Sequence, residues 1–188
     1  MFPIISDPHS WTLFLDRDGV INVKLPGDYV KSWDEFVFLP GVPDALALLG
    51  EFFGRIVIVS NQQGVGKGIM KEEDVRAIHV KMCAEIERHG GRIDKIYFCP
   101  DLAGDNSPNR KPQPGMAFLA KSDFPEIEFK RSVMAGDSDS DMEFAAGLGM
   151  VGVYIGDSSH LDNNKCKIDF VFNNLKELAD FIYEKNCK

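Results

Sequence analysis

The stretch Phe14-Leu15-Asp16-Arg17-Asp18-Gly19-Val20-Ile21-Asn22 decides the fold. The aromatic and aliphatic run Trp11-Thr12-Leu13-Phe14-Leu15 stops abruptly on a carboxylate, as a buried strand does where it leaves the core. Asp16 and Asp18 are two positions apart, so an extended backbone projects both carboxylates to the same side. Gly19 permits the sharp turn that follows. Two close acids repel, and their pairing is unfavourable unless a cation or a shared proton relieves it. Taken alone, the residues fit a capping or turn cluster equally well.

Outward from this point, β-rich runs alternate with helical patterns. Further strands are predicted over Arg55–Ser60, Ile93–Phe98, Ser132–Ala135, Val151–Ile155 and Phe170–Phe172. Arg55–Ser60 carries a β-branched run without polar alternation, as a strand buried on both faces should. Helices are predicted over Val42–Phe53, Lys71–His89, Met116–Lys121, Ser140–Leu148 and Leu175–Glu184. The clearest is Lys71–His89: Glu72, Glu73 and Asp74 open it, Val75, Ile78, Met82 and Ile86 form one stripe, and Gly90-Gly91 stops it. The alternation predicts an α/β fold, a mostly parallel sheet covered on both faces by helices. Ligands of such sheets bind outside the carboxyl ends of the strands. Residues 1–188 are read as one domain with residues 1–11 as an N-terminal tail, and two long loops, Asn22–Pro40 and Cys99–Pro114.

Three more strand ends carry polar clusters. Ser60-Asn61 closes the second strand, where a hydroxyl and backbone N–H groups suit phosphate oxygens or form an ordinary turn. Gly64-Val65-Gly66-Lys67-Gly68 lacks the spacing of a nucleotide-binding P-loop and is expected to be a flexible turn, with Lys67 either solvated or reaching substrate. Arg110-Lys111-Pro112 precedes a helix, and Pro112 and Pro114 are expected to hold it extended. Lys111 there would neutralise a phosphate or a carboxylate, or form part of a solvated basic pair. Gly136-Asp137-Ser138-Asp139-Ser140-Asp141 places Asp137 and Asp141 one helical turn apart, a hard-cation signal that also reads as an acidic helix N-terminus; Asp139 fits the latter role alone.

Composition narrows the class. With 29 Asp and Glu against 21 Lys and Arg, the 188-residue chain has a net charge of −8, which disfavours a nucleic-acid binder. No apolar run approaches a membrane span, and the first residues show no secretory signal. Four scattered cysteines, Cys83, Cys99, Cys166 and Cys187, read as reduced thiols of a cytoplasmic protein.

Each cluster alone is weak, but four in order at strand ends are specific. The chain resembles the haloacid-dehalogenase (HAD) superfamily of Mg²⁺-dependent phosphatases, and within it the histidinol-phosphate and D-glycero-D-manno-heptose 1,7-bisphosphate phosphatases. FLDRDGVIN (14–22), Tyr29-Val30, Phe38-Leu39-Pro40-Gly41-Val42, SNQQGVGKG (60–68), RKPQPGM (110–116) and AGDSDSDM (135–142) carry the resemblance, which spans Leu13 to Ile155. It implies a three-layer Rossmann-like fold. Asp16 would be the nucleophile forming an aspartyl-phosphate, and Asp18 the acid that protonates the leaving alcohol and then activates water. One Mg²⁺ would be held by Asp16, the Asp18 carbonyl and Asp137. Ser60 and the Asn61 N–H would bind phosphoryl oxygens, Lys111 would neutralise charge, Arg110 would contact substrate, and Asp141 would orient Lys111 or metal waters.

The substrate implied is a small phosphorylated metabolite, a heptose bisphosphate first and histidinol phosphate next, hydrolysed by a monomer or homodimer. Two departures stand out. Many relatives carry a zinc loop of C-x-H and C-x-C before Arg-Lys-Pro, but here it reads Cys99-Pro100-Asp101 and Ser107-Pro108-Asn109, so no zinc is expected. Ser138 also stands where many have a basic residue. Residues 23–41 are too few for an inserted cap, so a capless site is expected. A phospho-accepting receiver would need an Asp where the middle strand ends in Ser60, and a retired scaffold would not need Asp16, Asp18, Lys111 and Asp137 together.

Overall fold

The computed structural model describes residues 5, 7, 10–157, 159 and 167–187; the expected tail over residues 1–11 lies partly, and Cys166 wholly, outside them. Six strands form one sheet: β1 (Thr12–Leu15), β2 (Arg55–Asn61), β3 (Lys95–Cys99), β4 (Ser132–Gly136), β5 (Val151–Ile155) and β6 (Phe170–Phe172). They are ordered β3-β2-β1-β4-β5-β6 and every neighbouring pair is parallel. In this order the chain reverses direction across the sheet between β1 and β4, which opens a crevice at their carboxyl ends.

Strand alternation builds two cores. Leu13 and Leu15 of β1 point with Ile56, Ile58, Val133 and Val153 to one face, against α1 (Val42–Leu49), α3 (Glu72–Arg88) and α6 (Leu175–Asn186). Phe14 points with Val57, Val59 and Met134 to the other, against α4 (Gly115–Asp123) and α5 (Asp139–Leu148). The expected three-layer fold is therefore present, and the sheet is wholly parallel among the described residues. Ile5 is also buried in the first core, and its N–H donates to Asn186 Oδ1 at 2.8 Å.

Several local expectations need correction. Helix α1 ends at Leu49 rather than Phe53, because Arg92 donates to the carbonyls of Gly50 and Gly54 at 2.8 and 3.2 Å and closes the chain into a turn. Gln63–Gly66 is not a flexible turn but one helical turn, α2, and Gly66 lies so close to Pro100 that a Cβ there would meet its carbonyl at 2.6 Å. The 108–114 segment is not extended: Arg110 N–H donates to Ser107 O, Gln113 N–H to Arg110 O and Gly115 N–H to Pro108 O, so it runs as successive turns. The Lys111–Pro112 bond within it is cis.

The connection after β1 holds a short 3₁₀ turn, Trp33–Glu35, whose Trp33 stacks on Phe36 at 5.0 Å. It forms no inserted folded module over residues 23–41, so the capless expectation agrees with the fold. Among the described residues no helix is long and apolar enough to cross a membrane, and Cys83, Cys99 and Cys187 are free thiols.

Candidate active site

A cavity of about 440 Å³ opens at the carboxyl ends of the strands and is lined by Asp16, Asp18, Ser60, Asn61, Arg110, Lys111 and Asp137, all named from the sequence. Asp16 follows β1 directly, and its N–H donates to Ala135 O of β4 at 3.0 Å, which locks it beside the β4 end. Lys111 arrives from the turns before α4 and is itself buried. Its Nζ lies 2.9 Å from Asp16 Oδ1 and 2.6 Å from Asp141 Oδ1. Asp141, fully buried in the first turn of α5, accepts at Oδ2 from the Ser138 N–H and hydroxyl at 3.1 and 2.6 Å. Its other oxygen is the one that meets Lys111.

Asn61 has a second part to play. Its side chain donates to Lys111 O at 3.1 Å and accepts from the Lys111 N–H at 3.0 Å. This reciprocal pair fixes the backbone that presents the lysine. Arg110 lines the cavity and donates to Asp101 O at 3.1 Å.

Asp137 follows β4 directly and is held from three sides. Tyr154 of β5 donates to its carbonyl at 2.8 Å, and Lys24 Nζ reaches its Oδ2 at 2.6 Å. Gly19, at φ +92°, packs so close that a Cβ there would lie 2.1 Å from the same Oδ2. Asp137 Oδ1 is buried without a hydrogen-bond partner.

Asp16, Asp137 and Asp141 offer carboxylate oxygens all within 4.8 Å of one another. Asp18 stands apart from this triad. Its Oδ1 accepts from Arg17 and Asn22 at 2.9 Å each, and its Oδ2 from Arg17 at 2.9 Å and Gln62 at 2.8 Å. Ser60 Oγ also accepts from Gln62, at 2.8 Å. Within the triad, Asp16 and the unpartnered Asp137 Oδ1 offer an all-oxygen donor set that fits a hard divalent cation such as Mg²⁺.

The electrostatics separate the two aspartates of the opening motif. Burial, with the charges of Asp141, Asp137 and Asp18, outweighs Lys111 and pushes the Asp16 carboxyl from 3.8 up to about 7. Burial acts upward on Asp18 as well, but the Arg17 charge and the hydrogen bonds from Arg17, Asn22 and Gln62 prevail and hold it below the ordinary carboxylate value. Asp137 is raised, mainly by burial, against Lys24. Burial alone would lower Lys111, but Asp141 and Asp16 raise it and keep it a cation.

Sequence reasoning missed Lys24, Tyr154, Arg17 and His79 as members of this neighbourhood. Arg17 and Asn22 lay inside the motif that holds Asp16 and Asp18, and Gln62 inside the one that begins at Ser60; their polarity there was the available signal. Lys24, Tyr154 and His79 come from other elements and had no local signal.

A family model described as HAD-hydrolase-like matches residues 108–178. The D-glycero-alpha-D-manno-heptose-1,7-bisphosphate 7-phosphatase of Mycobacterium tuberculosis is 43% identical over 137 residues, 73% of this chain and 72% of that relative. The enzyme of the same name from Campylobacter jejuni is 38% identical over 179 residues, 93% and 96% of the two chains. The D,D-heptose 1,7-bisphosphate phosphatase of B. bronchiseptica, solved with magnesium and phosphate, superposes with a TM-score of 0.82 at 28% identity, over 93% of this chain and 99% of that one. A carboxylate triad at the β1–β4 crevice and relatives this similar over most of their length agree on one assignment: the chain belongs to the heptose-1,7-bisphosphate 7-phosphatase family of HAD-like hydrolases and is a phosphatase.

Proposed function

We propose that the chain hydrolyses D-glycero-D-manno-heptose 1,7-bisphosphate at its 7-phosphate. The names of the relatives favour this substrate over histidinol phosphate. The observation that carries the mechanism is Lys111 Nζ placed between Asp16 and Asp141 in the lining of the cavity. Lys111 keeps Asp16 oriented and offsets the charge of an arriving phosphoryl group. An Asp16 oxygen attacks phosphorus in line, an Asp16–phosphorus bond forms, and the bond to the sugar oxygen breaks. Asp18 passes a proton to that oxygen; the dianionic phosphate beside it favours the protonated carboxyl, because a like charge disfavours ionisation. Asp18 then takes a proton from the water that cleaves the aspartyl-phosphate, releasing phosphate and restoring Asp16.

Ser60 and the Asn61 N–H bind phosphoryl oxygens, and Arg110 contacts the sugar or its second phosphate. Mg²⁺, held by Asp16, the Asp18 carbonyl and Asp137, would offset the repulsion between the nucleophile and the phosphoryl group. The 99–110 loop is proposed to work without zinc. Its one cysteine, Cys99, is buried and pairs with Asp101 and Ser107 at 3.4 and 3.6 Å, and Ser107 and Asn109 are poor zinc ligands.

The test is Mg²⁺-dependent phosphate release from both anomers of the heptose bisphosphate, beside histidinol phosphate and p-nitrophenyl phosphate. Asp16→Asn is expected to abolish release from all of them; retained turnover removes Asp16 as nucleophile. A kcat/KM ranking that places histidinol phosphate first overturns the substrate reading and leaves the mechanism standing.

A further inference from the structure

Arg17 stands between the two aspartates, and its side chain is the largest fully enclosed one among the described residues. A guanidinium removed from water is strongly unfavourable unless charges and acceptors meet it. Asp18 meets one edge, with Nη2 lying 2.9 Å from each carboxylate oxygen. The other edge is met from a different layer, where Nη1 lies 3.2 Å from Nε2 of His79 in α3. Arginine only donates, so Nε2 is the acceptor and the ring proton sits on Nδ1. His79 is buried and its ring packs edge-on to Phe98 at 5.6 Å. Burial, reinforced by the Arg17 charge, takes its pKa down to about 3, so it remains a neutral acceptor.

Neither Arg17 nor His79 lines the cavity, so whatever they do for the reaction passes through Asp18. We propose that they are positioning residues for proton transfer: His79 fixes the plane of the Arg17 guanidinium, and the guanidinium aims the Asp18 carboxyl at the leaving-group oxygen. Asn22 and Gln62 complete the cradle but lie in the motif loops, whereas His79 couples the acid to the helix layer behind the sheet. The proposal rests on Asp18 as proton donor. The step it serves is balanced: the proton leaves Asp18 for the departing oxygen as the P–O bond breaks and the bond to Asp16 forms.

A misaimed acid hurts poor leaving groups and spares good ones, because p-nitrophenolate departs without a proton and an alkoxide does not. The experiment compares kcat/KM on β-glycerophosphate and p-nitrophenyl phosphate for wild type, Asp18→Asn, His79→Leu and His79→Gln, with circular dichroism confirming the fold. His79→Leu is expected to lose about tenfold or more on the alkyl ester and less than about twofold on the aryl ester, and His79→Gln, whose Oε1 still accepts, to recover most of the loss. Should His79→Leu fail to fold, Arg17→Lys carries the same comparison, since a point charge cannot replace the two-edged fork. An equal loss on both esters, or none, while Asp18→Asn stays selective overturns the positioning role. A uniform loss in Asp18→Asn removes the proton donor and the proposal with it. Neither ester contains heptose, so these outcomes are independent of the substrate reading.

Discussion

Gly19 shows how much one residue carries here. It was legible as the glycine of a turn, and its φ of +92° agrees. Its second role, leaving room for Asp137 Oδ2, depends on a strand end far along the chain and has no local sign. Gly19→Ala is expected to combine an unfavourable backbone with a displaced Asp137, costing about 1–3 kcal/mol of stability and at least about tenfold in kcat. A thermal midpoint together with kcat checks both, and an unchanged kcat would show that Asp137 does not need its place. Asn61 teaches the same lesson. Its place at the end of β2 made its N–H readable as a phosphate contact, but the bond of its side chain to the Lys111 backbone had no local sign.

Elements were legible where periodicity was long. Helix α3 was readable from its acidic start, its stripe and its glycine stop, because these are properties of one helix. The 99–114 loop was not, since its path depends on side chains meeting across turns. Cys99 faces Ser107, and Arg110 reaches back to Asp101 O, so hydrogen bonds tie the loop across its turns. Elemental analysis of the purified protein is expected to find substoichiometric zinc, with the thermal midpoint unmoved by a zinc chelator. One zinc per chain would overturn the zinc-free reading.

At the scale of the whole molecule, the sheet order makes β1 and β4 neighbours and brings Asp16, Asp137 and Asp141 within 4.8 Å of one another. That concentration of like charge has a consequence for stability. Asp16 rises from 3.8 to about 7 on folding, so between those values the folded protein keeps a proton that the unfolded chain has released. The contribution of Asp16 to stability therefore falls as pH rises through that window and stays low above it. Metal-free Asp16→Asn is expected to gain in thermal midpoint over wild type as pH rises from about 4 to about 7, and saturating Mg²⁺ to narrow the gap by binding the ionised, folded site. A difference that is flat with pH would show that Asp16 is not the strained group.

The sequence by itself determined the chemistry. Asp16-x-Asp18-Gly19 and Asp137-x-x-x-Asp141 are spacings along one backbone, and a strand end or a first helical turn converts them directly into directions in space. The alternation of strands and helices likewise determined the parallel α/β plan. Only the tertiary structure decided which group faces which: Lys111 between Asp16 and Asp141, Lys24 on Asp137, and His79 behind Arg17. These pairs lie far apart in the chain and meet through strand order and helix register. Whether a carboxylate is met by several donors, as Asp18 is, or left with a bare oxygen, as Asp137 is, depends on the donors packed around it rather than on its own identity.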